Sequence, residues 1–156
     1  MSKKPTAADA ELIVKLYDLR REAEMRKARQ WWVVTFWPDS ADDLAKIAMA
    51  AGTQENNWLR QVTGYWEMAA SFVLHGTLSE ELFMELAFSG EMFVIFAKVR
   101  PFLKDLRTQL KSPTIMANLE KLITRSKAGR HTLKGFEERL AARKKMMKEA
   151  AVARAR

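Results

Sequence analysis

The chain has 156 residues, 48% hydrophobic and 29% charged, with a formal net charge of +8 and no cysteine. That length suits one domain able to bury about two-thirds of its unfolded surface. The lack of cysteine excludes disulfides, thiol catalysis and cysteine-held metal, and leaves His75 and His131 as the only histidines for other site chemistry.

Residues 1–5 are polar and are expected to be disordered. No apolar run of roughly 7–15 residues follows them, as a secretory signal would require. The apolar run nearest to a membrane span is 31–37, and seven residues do not cross a bilayer. A soluble, cytoplasmic protein is the expectation.

Thr6-Ala7-Ala8-Asp9 has capping-box spacing, and Leu12, Leu16, Leu19 and Ala23 then recur on one helix face. One long helix is expected from there until Pro38. Ser40 to Asp43 repeats the capping box, a short helix follows over 41–51, and Gly52 suits a left-handed C-cap. The next helix begins at Thr53 and runs to His75-Gly76. Its interior Gly64, about 1 kcal/mol worse than alanine, predicts close helix packing at that point. A helix over 80–88 is expected to break at Ser89-Gly90, and another over 91–111 either to kink at Pro101 or to begin a new segment there. Ser112-Pro113 predicts a further helix start, with Ile115, Met116, Leu119, Leu122 and Ile123 as its apolar stripe. Gly129 and Gly135 bracket an expected connector, and the rest is helical by propensity. The fold class is all-α: a single-domain bundle of six or seven helices. A helical bundle over 6–128 precedes a basic amphipathic C-terminal helix over 129–156, which docks or projects.

All five tryptophans lie between 31 and 66. They read as core where the first helix meets the third. However, adjacent helical residues are about 100° apart, so one narrow stripe does not bury both Trp31 and Trp32. Those two are therefore the candidate exposed aromatic contacts. Leu82, Phe83, Leu86, Phe93, Phe96, Val99 and Leu103 carry helical spacing and read as core.

Catalytic signatures are missing. There is no phosphate-cradling glycine loop, no H-E-x-x-H and no Glu-x-x-His. His75 reads as a helix C-cap and His131 as solvated. Glu67, in an apolar stretch, is expected to pair with Arg100 or Arg107. No catalytic residue, metal or cofactor is expected.

The order Tyr65-Trp66-Glu67-Met68-Ala69-Ala70, His75-Gly76-Thr77-Leu78-Ser79-Glu80-Glu81-Leu82, Phe93, Phe96, Val99-Arg100-Pro101-Phe102-Leu103 and Arg107 resembles a family of small bacterial all-helical proteins of unknown function. The resemblance covers about 12–112. It implies a helical domain and carries no activity or site residue. Members of that family often have an N-terminal membrane helix, which this sequence lacks.

Charge is unevenly spread: net +2 over 1–39, −6 over 40–97 and +12 over 98–156. The C-terminal helix holds Arg139, Arg143, Lys144, Lys145 and Lys148, the candidate residues for an anionic partner. The expected function is a non-enzymatic binding protein using this helix, with nucleic acid the favoured partner through phosphate contacts. Two alternatives stay open: a scaffold that self-associates through its acidic (40–97) and basic (98–156) segments, or a peripheral protein on an anionic membrane surface.

Overall fold

Residues 4–156 are described by a computed structural model; the first three residues of the expected disordered segment lie outside the described residues. α1 (Ala7–Leu19) opens with the expected reciprocal cap between Thr6 and Asp9. The Asp9 carboxylate also accepts from the Ser79 backbone N–H at 2.8 Å, tying this helix start to a segment 70 residues away.

The first helix does not continue to Pro38. It turns at 20–22 and restarts as α2 (Ala23–Gln30), capped by the Glu22 carboxylate. The turn lets Arg20 point inward. Its guanidinium donates to the Phe88 carbonyl at 3.1 Å and lies 4.7–5.3 Å from the ring centres of Tyr17, Trp66 and Phe88. After α2 the backbone widens into a π-helical turn over Trp31–Thr35.

α3 (Ala41–Met49) and α4 (Gln54–Leu74) start at Ser40 and Thr53 as the sequence predicts, and Gly52 between them has φ +88°. α5 (Glu80–Phe83) is short, and α6 (Leu86–Val99) begins earlier than expected. Ser89-Gly90 lies inside α6 and does not break it. The Ser89 hydroxyl donates back to the carbonyls of Met84 and Glu85, so it is satisfied without leaving the helix. A methyl at Gly90 would lie 4.0 Å from the Phe136 ring, which packs over this turn. Pro101 converts the chain to a 3-10 turn before α7 (Leu103–Gln109).

Ser112-Pro113 does not start a helix. Arg107 takes the Ile115 carbonyl with two N–H groups, at 3.0 and 2.8 Å, and Met116 adopts a left-handed φ of +54°. Only then does α8 (Ala117–Thr124) begin. The expected connector between Gly129 and Gly135 is also absent: α9 (Lys127–Arg154) runs through both. A Cβ on Gly129 would lie 2.1 Å from the Ile123 carbonyl oxygen, so glycine there lets α9 begin against the end of α8.

The described residues contain α-helix and no strand. One contiguous core joins α4, α6 and α8, with Trp32, Trp66, Phe83, Phe93 and Phe96 fully buried. The start of α9 belongs to that core. Leu133 is buried, and Phe136 stacks on Phe93 with ring centres 5.4 Å apart.

Candidate functional site: the basic C-terminal helix

α9 both docks and projects. Leu133, Phe136 and Leu140 hold its first half to the body, while every residue from 145 onward is exposed. Over 139–156 the chain carries seven basic side chains and one acidic.

The five candidate residues play different parts. Lys144 donates to the Pro38 carbonyl at 2.8 Å and lies 2.7 Å from the Asp39 carboxylate. Lys148 reaches the same carboxylate at 3.3 Å. Hydrogen bonds from these two ammonium groups hold the Asp39 carboxyl below its ordinary pKa. Arg143 lies over the Trp37 ring at 5.5 Å and Arg139 over Phe136 at 4.4 Å. Lys145, 78% exposed at its side chain, has only a long contact of 4.0 Å to Glu149 on the next turn. Lys144 therefore acts mainly as an anchor. The charges of Arg139, Arg143, Lys145 and Lys148 stay at the surface.

Beneath the anchor lies Lys98, which sequence reasoning missed. Its ammonium donates to the carbonyls of Trp32 at 2.6 Å, Val33 at 3.2 Å and Phe36 at 2.8 Å, and sits 3.8 Å from the Trp37 ring centre. Three N–H donors meet three carbonyls at the end of the π-helical turn, and no carboxylate takes part. Burial, helped by the nearby Arg143 and Lys144 charges, holds its pKa down to about 7. The one available signal was a lysine within the apolar run from Met92 to Val99.

Trp31 and Trp32 are not surface contacts. They are 8% and 0% exposed. Their segment is sandwiched, with α4 on one side and α6 on another, so two helix faces are covered rather than one stripe. Trp31 stacks on Phe36 at 4.5 Å and meets Trp32 edge-on. Arg29, two residues before Trp31, pairs with Glu91 at 2.7 Å.

Glu67 has neither expected arginine partner. Its carboxylate accepts the backbone N–H of Leu119 at 2.8 Å and of Asn118 at 3.3 Å, capping α8 from a different helix. Arg100 pairs with Glu137, and Arg107 with Glu120. His75 sits at the C-cap of α4, and His131 is exposed within α9. Among the described residues no group of three or more His, Cys, Asp or Glu is placed to hold a metal ion, and no helix is long and apolar enough to cross a membrane.

Residues 5–126 match the model of the family described as a domain of unknown function, DUF4760. The match spans most of the chain, and the chain belongs to that family. The matched stretch ends one residue before α9 begins, so the basic helix lies outside it. No curated protein and no solved structure matches the chain.

Proposed function

We propose that this DUF4760 chain is a non-enzymatic binding protein whose projecting C-terminal helix engages the phosphate backbone of a nucleic acid. The supporting observation is the exposed outer part of α9, four basic groups against one acidic over 145–156, carried on a helix that the Asp39 anchor ties to the body. Each lysine or arginine placed on a phosphate displaces condensed counterions, so such a helix binds without reading sequence.

Insertion into a membrane is less well supported. Met146, Met147 and Val152 are the large apolar side chains exposed there, and at about 100° per residue they point in three directions. An inserting helix needs them on one face. Self-association through opposite charges is weakened as well. Glu67, Glu80 and Glu91 of the acidic segment are engaged within the chain, by the α8 N-terminus, Arg125 and Arg29 respectively.

The test is fluorescence anisotropy with a labelled duplex DNA and a single-stranded RNA across a salt series. A variant with Lys145, Arg154 and Arg156 each changed to Gln leaves the docked half intact. A chain ending near Gly129 would instead strip Leu133 and Phe136 from the core. Wild type is expected to bind with a steep salt dependence, and the variant to lose about 0.9 in slope on duplex DNA for each phosphate contact removed. Equal slopes and affinities for the two proteins would refute the assignment.

A further inference from the structure

Bounded by α3, α4, α7 and the 112–116 turn lies a half-open cavity of about 360 Å³. That is within the range of about 300–1,000 Å³ usual for small-molecule sites. Its walls are mostly apolar, with Trp32, Leu44, Leu59, Leu106 and Ile115 among the lining residues. Gly64 lines it too, and a Cβ built there would meet nothing within 4 Å. The close helix packing expected at Gly64 is therefore absent. A mid-helix glycine costs stability relative to alanine, and here no neighbouring helix requires it; what it leaves is open space.

The polar lining holds one charge of each sign. Arg60 and Glu67 are its only charged members. Glu67 is occupied by the α8 N-terminus. Among the described residues, Arg60 makes no ion pair, and the Ser112 and Thr114 hydroxyls have no partner. One cation and two hydroxyl donors thus remain unmatched where an apolar cavity opens. The indole N–H of Trp32, a buried donor in the cavity wall, also lacks a partner.

From these residues we infer that the cavity binds a small amphipathic carboxylate, its apolar body beside Gly64 and its carboxylate on Arg60, Ser112 and Thr114. This site is separate from the basic helix, and its failure would leave the nucleic-acid reading untouched.

Octanoate, octanol and octylamine serve as probes, titrated against the full chain and followed by tryptophan fluorescence and by thermal shift. Saturable octanoate binding is expected, tighter than that of octylamine. Gly64→Leu fills the open space and is expected to abolish it while retaining a cooperative melt. Arg60→Gln, a surface change that leaves the core alone, is expected to weaken octanoate by about three- to fivefold, the scale of one exposed ion pair, and to leave octanol unaltered. Three results would each overturn the inference: no saturable octanoate binding, octylamine binding as tightly, or octanoate binding unchanged in Gly64→Leu. Should Gly64→Leu fail to fold, the Arg60→Gln comparison decides, and equal octanoate affinity there overturns it too.

Discussion

Replacing Glu67 by alanine should unseat α8 without touching any residue of that helix. α8 has no side-chain cap of its own, because its N-cap is Met116 in a left-handed conformation. The Glu67 carboxylate supplies the cap from α4, accepting two backbone N–H groups at 2.8 and 3.3 Å. Loss of a helix cap ordinarily costs about 1 kcal/mol, and hydrogen bonds to a charged group contribute about 1.5–3 kcal/mol. The carboxylate is only partly buried, so about 2 kcal/mol is expected for Glu67→Ala. For a chain of this size that lowers Tm by about 4–8 °C. Glu67→Gln keeps one acceptor oxygen but loses the charge facing the helix N-terminus, and should cost about half as much. Chemical denaturation with both variants gives the two values, and hydrogen exchange should show α8 amides losing protection first. A Glu67→Ala melt within a degree of wild type, or a glutamine variant as damaged as the alanine one, would show that the carboxylate does not cap α8.

Three further outcomes are expected. Gly129→Ala places a methyl 2.1 Å from the Ile123 carbonyl oxygen and should destabilise by about 3 kcal/mol, measured by urea unfolding. Gly135→Ala, at a position inside α9 where a methyl meets nothing within 4 Å, should stabilise by up to about 1 kcal/mol; a lower Tm in this variant would contradict the described helix. Lys98→Met strips the donors from three carbonyls at the end of the π-helical turn and should cost about 3 kcal/mol near neutral pH. It should also change the pH profile. Folding depresses the Lys98 pKa from 10.5 to about 7, so the unfolded chain binds more protons between those values. The Lys98 contribution therefore makes wild type gain stability relative to Lys98→Met as pH rises through that window. Parallel stability curves for the two proteins would show that Lys98 does not titrate there.

Local rules at single positions made much of the fold readable. Thr6, Ser40 and Thr53 cap helices because a short hydroxyl side chain satisfies a free N–H wherever it occurs at that place. The core stripe through Phe83, Phe93 and Phe96 followed from periodicity alone. Errors arose where a distant partner overrode a local signal. Ser112-Pro113 looked like a helix start, but Arg107 had claimed the Ile115 carbonyl. Gly129 and Gly135 looked like punctuation, yet one accommodates a close backbone approach and the other faces open space. Trp31 and Trp32 seemed too far apart in angle to be buried together, until a second covering helix removed that limit. The five basic candidates could be named from charge density. Their division into anchor and free charges depends on Pro38 and Asp39, more than 100 residues away. For Lys98 the sequence offers only its place in the apolar run from Met92 to Val99, and the three carbonyls that hold it come from a segment more than 60 residues away.

The half-docked state of α9 makes its outer segment a cantilever. Helix initiation is the unfavourable step and extension is nearly free, so a short helix alone in water is marginal. Here the turns held by Leu133 and Phe136 provide the initiated helix, and the outer turns extend from it. From Lys145 to Arg154 the rise is about 14 Å at 1.5 Å per residue. The spacing and heading of the outer charges are therefore set by the packing of Leu133 and Phe136 together with the Lys144 and Lys148 contacts to Asp39. Loosening Phe136 from Phe93 would fray the outer turns as a unit, although no basic residue had been altered.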